Sequence, residues 1–244
     1  AVSGLPPRPA AGRVVEGGRR VRLADARPSG RLRLDAAARF LQDVSADDTA
    51  DAALPDSQAW VVRRTVIEVL RFPRYLEGLR LATWCSGTGS HYAERRVEMR
   101  GEWDGAVDAV SLWVHVDAAT GRPRRLGEGF TERYAEAASG RRVSARLVHP
   151  DPPADVELRP WPLRATDLDV LGHMNNAAYW QVVEEALALQ PGPRGPMRVE
   201  VEHRRAVEPG ALVDWAKVVD DDGGFTLWVL ADAVVAATAR LLPG

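Results

Sequence analysis

The clearest pattern along the chain is a helical hydrophobic rhythm that occurs twice. Ala37, Phe40, Leu41 and Val44 recur at i, i+3, i+4 and i+7, which places them on one face of a helix. Tyr179, Val182, Val183 and Ala186 repeat the same spacing. Asn175 and Asn176 stand just before the second run, where an Asn side chain can satisfy the free amides of a first helical turn. After each helix the pattern shortens to runs rich in Val, Leu and Trp, which predict strands. The first set is 59–71, 79–86, 92–101 and 106–117; the second is 197–207, 211–219, 225–231 and 234–242. Turn signals separate several of them: SGTGS (86–90), GEWDG (101–105), EPG (208–210) and DDDGG (220–224).

The two rhythms belong to one plan. At a constant offset of 142, with no gap, residues 21–44 align with 163–186, so that Arg22 meets Arg164, Asp25 meets Asp167 and Gly30 meets Gly172. The shared grammar is a short strand, an Asp-containing turn, a glycine and an amphipathic helix. The Pro-rich HPDPPA (149–154) reads as the linker between two halves, 12–148 and 155–244. A sheet with one dry face buries a single helix by curling around it, which is the hotdog plan. The expected fold class is therefore α+β, a double hotdog with two antiparallel sheets, each wrapped around a long helix and related by a pseudo-two-fold.

Composition narrows the function. Of 244 residues, 45% are hydrophobic and 27% charged, enough for a packed core. Acids outnumber bases by 34 to 32, without the basic excess of a general nucleic-acid binder. Lys217 is the only lysine, a bias toward arginine that fits a GC-rich genome or an arginine-lined face for an acidic partner. One cysteine, Cys85, leaves no intramolecular disulfide and fits a reduced, cytoplasmic setting. No apolar run approaches the roughly 18 residues that span a membrane. The opening AVSGLPPRPAAG lacks a signal core, and its Ala suits simple removal of an initiator Met.

The stretch RATDLDVLGHMNNAAY (164–179) resembles the D-L-D-x-x-x-H-x-N-N-x-x-Y signature of hotdog thioesterases. In the first half, WVVRRTVIEVLRFP (60–73), TWCSGTGSHYAERR (83–96) and SLWVHVDAATGRPRRL (111–126) are similar to strands of the plant and bacterial acyl-ACP thioesterases. This resemblance runs from about residue 12 to the C-terminus and implies a thioester hydrolase of fatty acid metabolism. Two departures stand out. The family's motif reads D-x-N-x-H, with an Asn assisting catalysis, where this chain has Leu171. The family also carries a Glu after a Y-R-R segment, where this chain reads HRR (203–205) followed by Ala206 and Val207.

Thioester hydrolysis needs an activated water or a carboxylate nucleophile, and donors for the developing oxyanion. Asp169 is the expected general base or nucleophile, with His173 as its orienter or proton partner. Backbone amides near Met174, Asn175 and Asn176, at a helix N-terminus, are expected to polarise the carbonyl. Tyr179, Trp180 and Phe40 are expected at the acyl pocket. Asp167 is assigned to the turn, because Asp25 matches it. The offset also pairs Asp169 with Arg27 and His173 with Arg31, so a single active site is expected in the C-terminal half, with the N-terminal half supplying the acyl pocket.

Other groups fall to plainer readings. Glu185 matches a Glu common in the family, Glu184 reads as solvated helix surface, and Glu208 reads as an exposed turn that could replace the missing Glu. Cys85 reads as a buried or hairpin thiol, and SGTGS as a strand turn rather than a phosphate loop. His91, His115, His149 and His203 show no metal spacing, and no cofactor is implied. The expected partner is an acyl carrier protein or coenzyme A thioester, whose phosphate and acidic groups suit clusters such as Arg63/Arg64, Arg95/Arg96, Arg141/Arg142 and Arg204/Arg205. Monomer and homodimer both remain open, since a fused pair already supplies the partner that single hotdogs gain by dimerising. Two alternatives are a non-catalytic acyl-thioester binder or sensor, and a hotdog enoyl hydratase. The hydratase motif, D-x-N-P-x-H, spaces Asp and His five apart, against four here.

Overall fold

Both apolar stripes are buried, and each lies on a helix that packs into the same core. The computed structural model describes residues 3–54, 59–189 and 195–244. In chain order the elements are β1 (Val15–Arg20), α1 (Leu34–Ala52), β2 (Ala59–Arg71), β3 (Gly78–Thr88), β4 (Tyr92–Gly101), β5 (Ala106–Val116) and α2 (Glu128–Ala138). The second half adds β6 (Arg159–Trp161), α3 (Asn176–Ala188), β7 (Met197–His203), β8 (Val213–Val219), β9 (Phe225–Ala231) and β10 (Val234–Pro243). Strands β2, β4 and β9 fall on their expected bounds. β7 stops at His203, four residues early, because the chain turns away from the sheet there.

The strands form one antiparallel sheet of ten, in the order β1-β3-β4-β5-β2-β7-β10-β9-β8-β6. Two separate sheets were expected. Instead β2 and β7 pair along Arg64↔Glu202, Ile67↔Val199 and Val69↔Met197, which satisfies backbone groups that would otherwise form two open edges. Read inward from either end, the order is the same in both halves. β6 takes the place of β1, β8 of β3, β9 of β4, β10 of β5 and β7 of β2.

The loops before α1 and α3 repeat at the level of single hydrogen bonds. Arg27 N donates to Arg31 O at 2.9 Å, and Asp169 N to His173 O at 3.0 Å. Gly30 N reaches Arg27 O at 2.7 Å, and Gly172 N reaches Asp169 O at 2.9 Å. Arg33 N and Asn175 N each donate at 2.8 Å, to Asp25 O and Asp167 O. Gly30 (φ 83°) and Gly172 (φ 78°) close the two turns in the left-handed region, where the lack of a Cβ removes the steric penalty. Asp25 and Asp167 each accept the amide of the Arg three residues before, at 2.9 Å.

The short strand expected before each Asp-containing turn is present as β1 and β6, a few residues ahead of the repeated stretch; β1 carries a glycine pair and β6 is only three residues long. The helix α2 was not expected. α2 packs against β3, where Phe130, Tyr134 and Ala138 join Cys85 and Ala93. The Tyr134 hydroxyl donates to buried Asp48 at 2.9 Å, and Arg13 and Arg95 pair with the same carboxylate. The segment 149–153 has no regular secondary structure, yet it is fastened to the second half. Glu202 accepts Val148 N and His149 N at 2.8 and 3.0 Å, and Trp228 Nε1 donates to Pro150 O at 2.9 Å.

Candidate active site

Asp169 opens the turn that leads into α3. Its Oδ1 accepts Leu171 N at 2.9 Å, and its Oδ2 accepts Asn175 Nδ2 at 3.3 Å. The carboxylate is half-buried and held by an Asx-type turn on one side and a cap residue on the other. Asn175 is the N-cap of α3, its Oδ1 accepting Ala177 N at 2.8 Å. One Asn side chain therefore caps the helix and orients Asp169. Asn176, expected beside it as a second cap, is instead the first helical residue.

His173 turns to a different partner. Its Nε2 is 3.2 Å from Glu208 Oε1, with the two side chains 41% and 67% exposed. Among the described residues no hydrogen bond joins the Asp169 and His173 side chains; only their backbones pair. Glu208 is exposed, as its turn context implied, and also lies against the imidazole. Leu171 and Ala206, at the two positions where the family carries Asn and Glu, are both exposed.

The amides at the start of α3 are mostly occupied. Met174 N donates to Val207 O at 2.9 Å and Asn175 N to Asp167 O at 2.8 Å. Ala178 N donates to Asn175 O at 2.9 Å, and Ala177 N is taken by the cap. Of the three amides expected to polarise a carbonyl, only Asn176 N makes no hydrogen bond among the described residues. Met174 and Asn175 are excluded because they hold the turn against its neighbours.

Two clefts flank this helix start. One lies between the halves and is lined by Leu41, Gln42, Ser45, Trp113, Asn176 and Trp180. The other is lined by Arg39, Phe40, Gln42, Asp43, Asn175 and Gln181, among others. Trp180 and Phe40, both expected at the acyl pocket, thus fall in different clefts. Asp169 and His173, both half-buried, line neither. Tyr179 also lines neither; it is buried edge-on against His203, ring centroids 4.9 Å apart, and burial pushes its hydroxyl pKa up.

The corresponding place in the first half is filled by charge. Arg31 makes a bidentate pair with Glu184 at 2.9 and 3.0 Å, and Arg27 reaches it at 3.2 Å. Leu34 N, the first amide of α1, donates to Glu184 Oε1 at 2.7 Å. Glu184 was expected on solvated helix surface and is buried instead, because it lies on the side of α3 that meets the start of α1. Glu185 is the exposed one. Cys85 is buried, which pushes its thiol up to about 11 and away from nucleophilic service.

One cluster with metal-ligand atoms was not visible in the spacing. His149, Glu200 and Glu202 bring such atoms within 4.8 Å of one another. Both Glu202 oxygens already hold backbone amides, and Arg198 approaches Glu200 at 3.7 Å, so the cluster fastens the chain crossing between the halves.

Comparison with known proteins defines the class. The model of the acyl-ACP thioesterase N-terminal domain matches residues 16–134, and that of the C-terminal domain matches residues 151–229. The chain belongs to the acyl-ACP thioesterase family. It is 31% identical over 231 residues to an uncharacterised protein of Mycobacterium tuberculosis, covering 94% of this chain and 92% of that one. It is 25% identical over 191 residues to a chloroplastic oleoyl-acyl carrier protein thioesterase of Coriandrum sativum, covering 68% of this chain and 49% of the plant protein. The 12:0-ACP thioesterase of Umbellularia californica superposes with a TM-score of 0.78 at 18% identity, covering 95% of this chain and 98% of that one. A putative oleoyl thioesterase of Lactobacillus plantarum gives 0.77 at 19%, covering 95% and 96%. The fold is thus the α+β hotdog type of these enzymes. Among the described residues no helix is long and apolar enough to cross a membrane.

Proposed function

We propose that the protein hydrolyses acyl thioesters, most naturally those of an acyl carrier protein, and releases a free fatty acid from one site in the C-terminal half of a double hotdog. The observation that carries this reading is the Asn176 amide, without a hydrogen bond among the described residues, on the wall of the cleft between the halves and next to Asn175, whose side chain donates to Asp169 Oδ2 at 3.3 Å. Asp169 takes a proton from water as the water oxygen attacks the thioester carbon, or attacks it directly as a nucleophile. Asn176 N–H holds the oxyanion. Collapse breaks the carbon–sulfur bond. In the general-base route the proton taken from water passes through His173 to the leaving thiolate. In the nucleophile route collapse leaves an acyl-Asp169 anhydride, which water then cleaves to the fatty acid and free Asp169, its proton going to the thiolate. In this reading the halves are 12–148 and 155–244, joined by 149–154, and the first supplies the acyl pocket.

The test is thiol release from acyl-ACP and acyl-CoA over a range of chain lengths, wild type against Asp169→Asn. Turnover by wild type and a loss of about 10²-fold or more in the variant are expected for a missing general base. A second reading, a non-catalytic binder, is favoured by one observation: both Asp169 oxygens already accept hydrogen bonds. Binding of acyl thioester without thiol release by wild type would establish it in place of hydrolysis.

A further inference from the structure

We propose that Gln42, on α1 of the opposite half, completes the site by donating its side-chain amide to the thioester carbonyl oxygen beside Asn176 N–H. The inference rests on the hydrolase reading and names a residue that reading does not use. It comes from the pseudo-symmetry of the two helix starts. The offset of 142 that relates their loops carries Leu34 to Asn176, Arg27 to Asp169 and Arg31 to His173. Run in reverse, it carries Glu184 to Gln42.

In the first half the four groups form a closed set. Glu184 reaches across from α3, accepts the first amide of α1 at 2.7 Å and is clamped by Arg27 and Arg31. A resident carboxylate thus occupies the place at that helix start where a ligand oxygen would bind. In the second half each charged member is replaced: the two arginines become Asp169 and His173, and the glutamate becomes Gln42. The helix start is left open. Asn176 N is unpartnered, and Gln42 is half-buried with no hydrogen bond among the described residues. Gln42 lines both clefts, one with Asn176 and the other with Asn175, so it reaches the site from the opposite side.

The chemistry explains why this position is an amide. A Glu here would cap Asn176 N as Glu184 caps Leu34 N, and would add a negative charge to a cleft wall that already carries Asp43 and Asp167. An amide cannot ionise, and its Nε2 donates to an oxygen that gains negative charge as the tetrahedral intermediate forms. Asn176 N–H alone is one donor, and Gln42 supplies a second aimed at the same developing charge.

The experiment measures steady-state thiol release at pH 5 to 8, using the acyl-ACP that wild type turns over fastest. Gln42→Ala, Gln42→Asn and Gln42→Glu are compared with wild type, with thermal unfolding as a check on folding. The expected result is a fall in kcat of about 10²-fold for Gln42→Ala, with KM changed much less, since the donor acts mainly on the developing oxyanion. Gln42→Asn, which keeps the amide, recovers part of the loss. Gln42→Glu is expected to stay folded and be nearly inactive at pH 8, its activity relative to wild type rising toward pH 5 as the added carboxyl protonates and again becomes a donor. A purely structural role would give neither the kcat-specific loss nor that pH-dependent ratio. Folded Gln42→Ala and Gln42→Glu proteins with wild-type kcat would overturn the assignment and leave the hydrolase reading intact. A wild type that releases no thiol from any acyl-ACP or acyl-CoA would overturn both.

Discussion

Glu208 shows how little a single side chain reveals until its neighbours are known. By sequence it belongs to an EPG turn, and it is indeed 67% exposed, yet its carboxylate meets His173 Nε2 at 3.2 Å. The position two residues earlier, where the family places its Glu, is Ala206. Glu208 therefore offers a carboxylate to the imidazole from a shifted position, and it is the natural holder of the His173 ring. Such a partner selects a tautomer and fixes the orientation of the ring. Glu208→Gln is expected to lower kcat of thiol release several-fold, while leaving thermal stability nearly unchanged because the pair is exposed. An unchanged kcat would assign the pair to the surface alone. Asp169 is the opposite case. It stood out in the sequence, and the structure adds that Asn175 ties it to the helix cap.

At the scale of elements, the contact between α1 and α3 carries the clearest asymmetry of the molecule. Each helix directs one residue at the other's start: Glu184 from α3 and Gln42 from α1. The glutamate end is fully paired, with Arg27, Arg31 and Leu34 N all on one carboxylate. Removing that charge while leaving both arginines exposes the cost of two desolvated guanidiniums. Glu184→Gln is expected to lower stability by about 3 kcal/mol, within the range for breaking a buried pair. Denaturant unfolding measures it, and a loss below about 0.5 kcal/mol, the usual size for a surface substitution, would show that the clamp is not a structural lock. The repeat that underlies this asymmetry was visible from Arg22, Asp25 and Gly30 and their mates. The burial of Glu184 was not, because the residue it meets is 150 positions away.

On the scale of the whole molecule, the seam between the halves also sets the response to acid. His203 ends β7 at that seam, buried, with Nε2 unpartnered among the described residues and Tyr179 packed edge-on against it. Burial lowers its pKa from the ordinary 6.5 to about 4, and nearby Arg63 adds to the effect. His149, at the strap between the halves, is lowered for the same first reason. A depressed histidine pKa means that the fold prefers the neutral ring. The stability His203 contributes is complete above pH 6.5 and is lost as pH falls through 4, about 3 kcal/mol in all. Wild type is therefore expected to lose stability between pH 6.5 and 4 more steeply than His203→Gln, compared by denaturant unfolding at each pH. Parallel pH curves for the two proteins would sink the idea.

Local order along the chain determined the two amphipathic helices, the strand sets that follow them, the glycine-closed turns and the Asn175 cap. Each depends on residues within a few positions of one another, so periodicity and capping chemistry suffice. Asp169 and His173 could be picked out for the same reason: their turn is local, and a resemblance to a known family marked them. α2 had a partial signal in Phe130, Tyr134 and Ala138, but a stripe that short reads as a helix only once β3 is beneath it. Tertiary structure alone decided the rest. It joined β2 to β7 in one sheet, buried Glu184, placed Glu208 against His173, left Asn176 N open and brought Gln42 to the same cleft. These contacts link residues from about 35 to more than 150 positions apart, and which of them form depends on how helices and strands pack, a choice that no local pattern encodes.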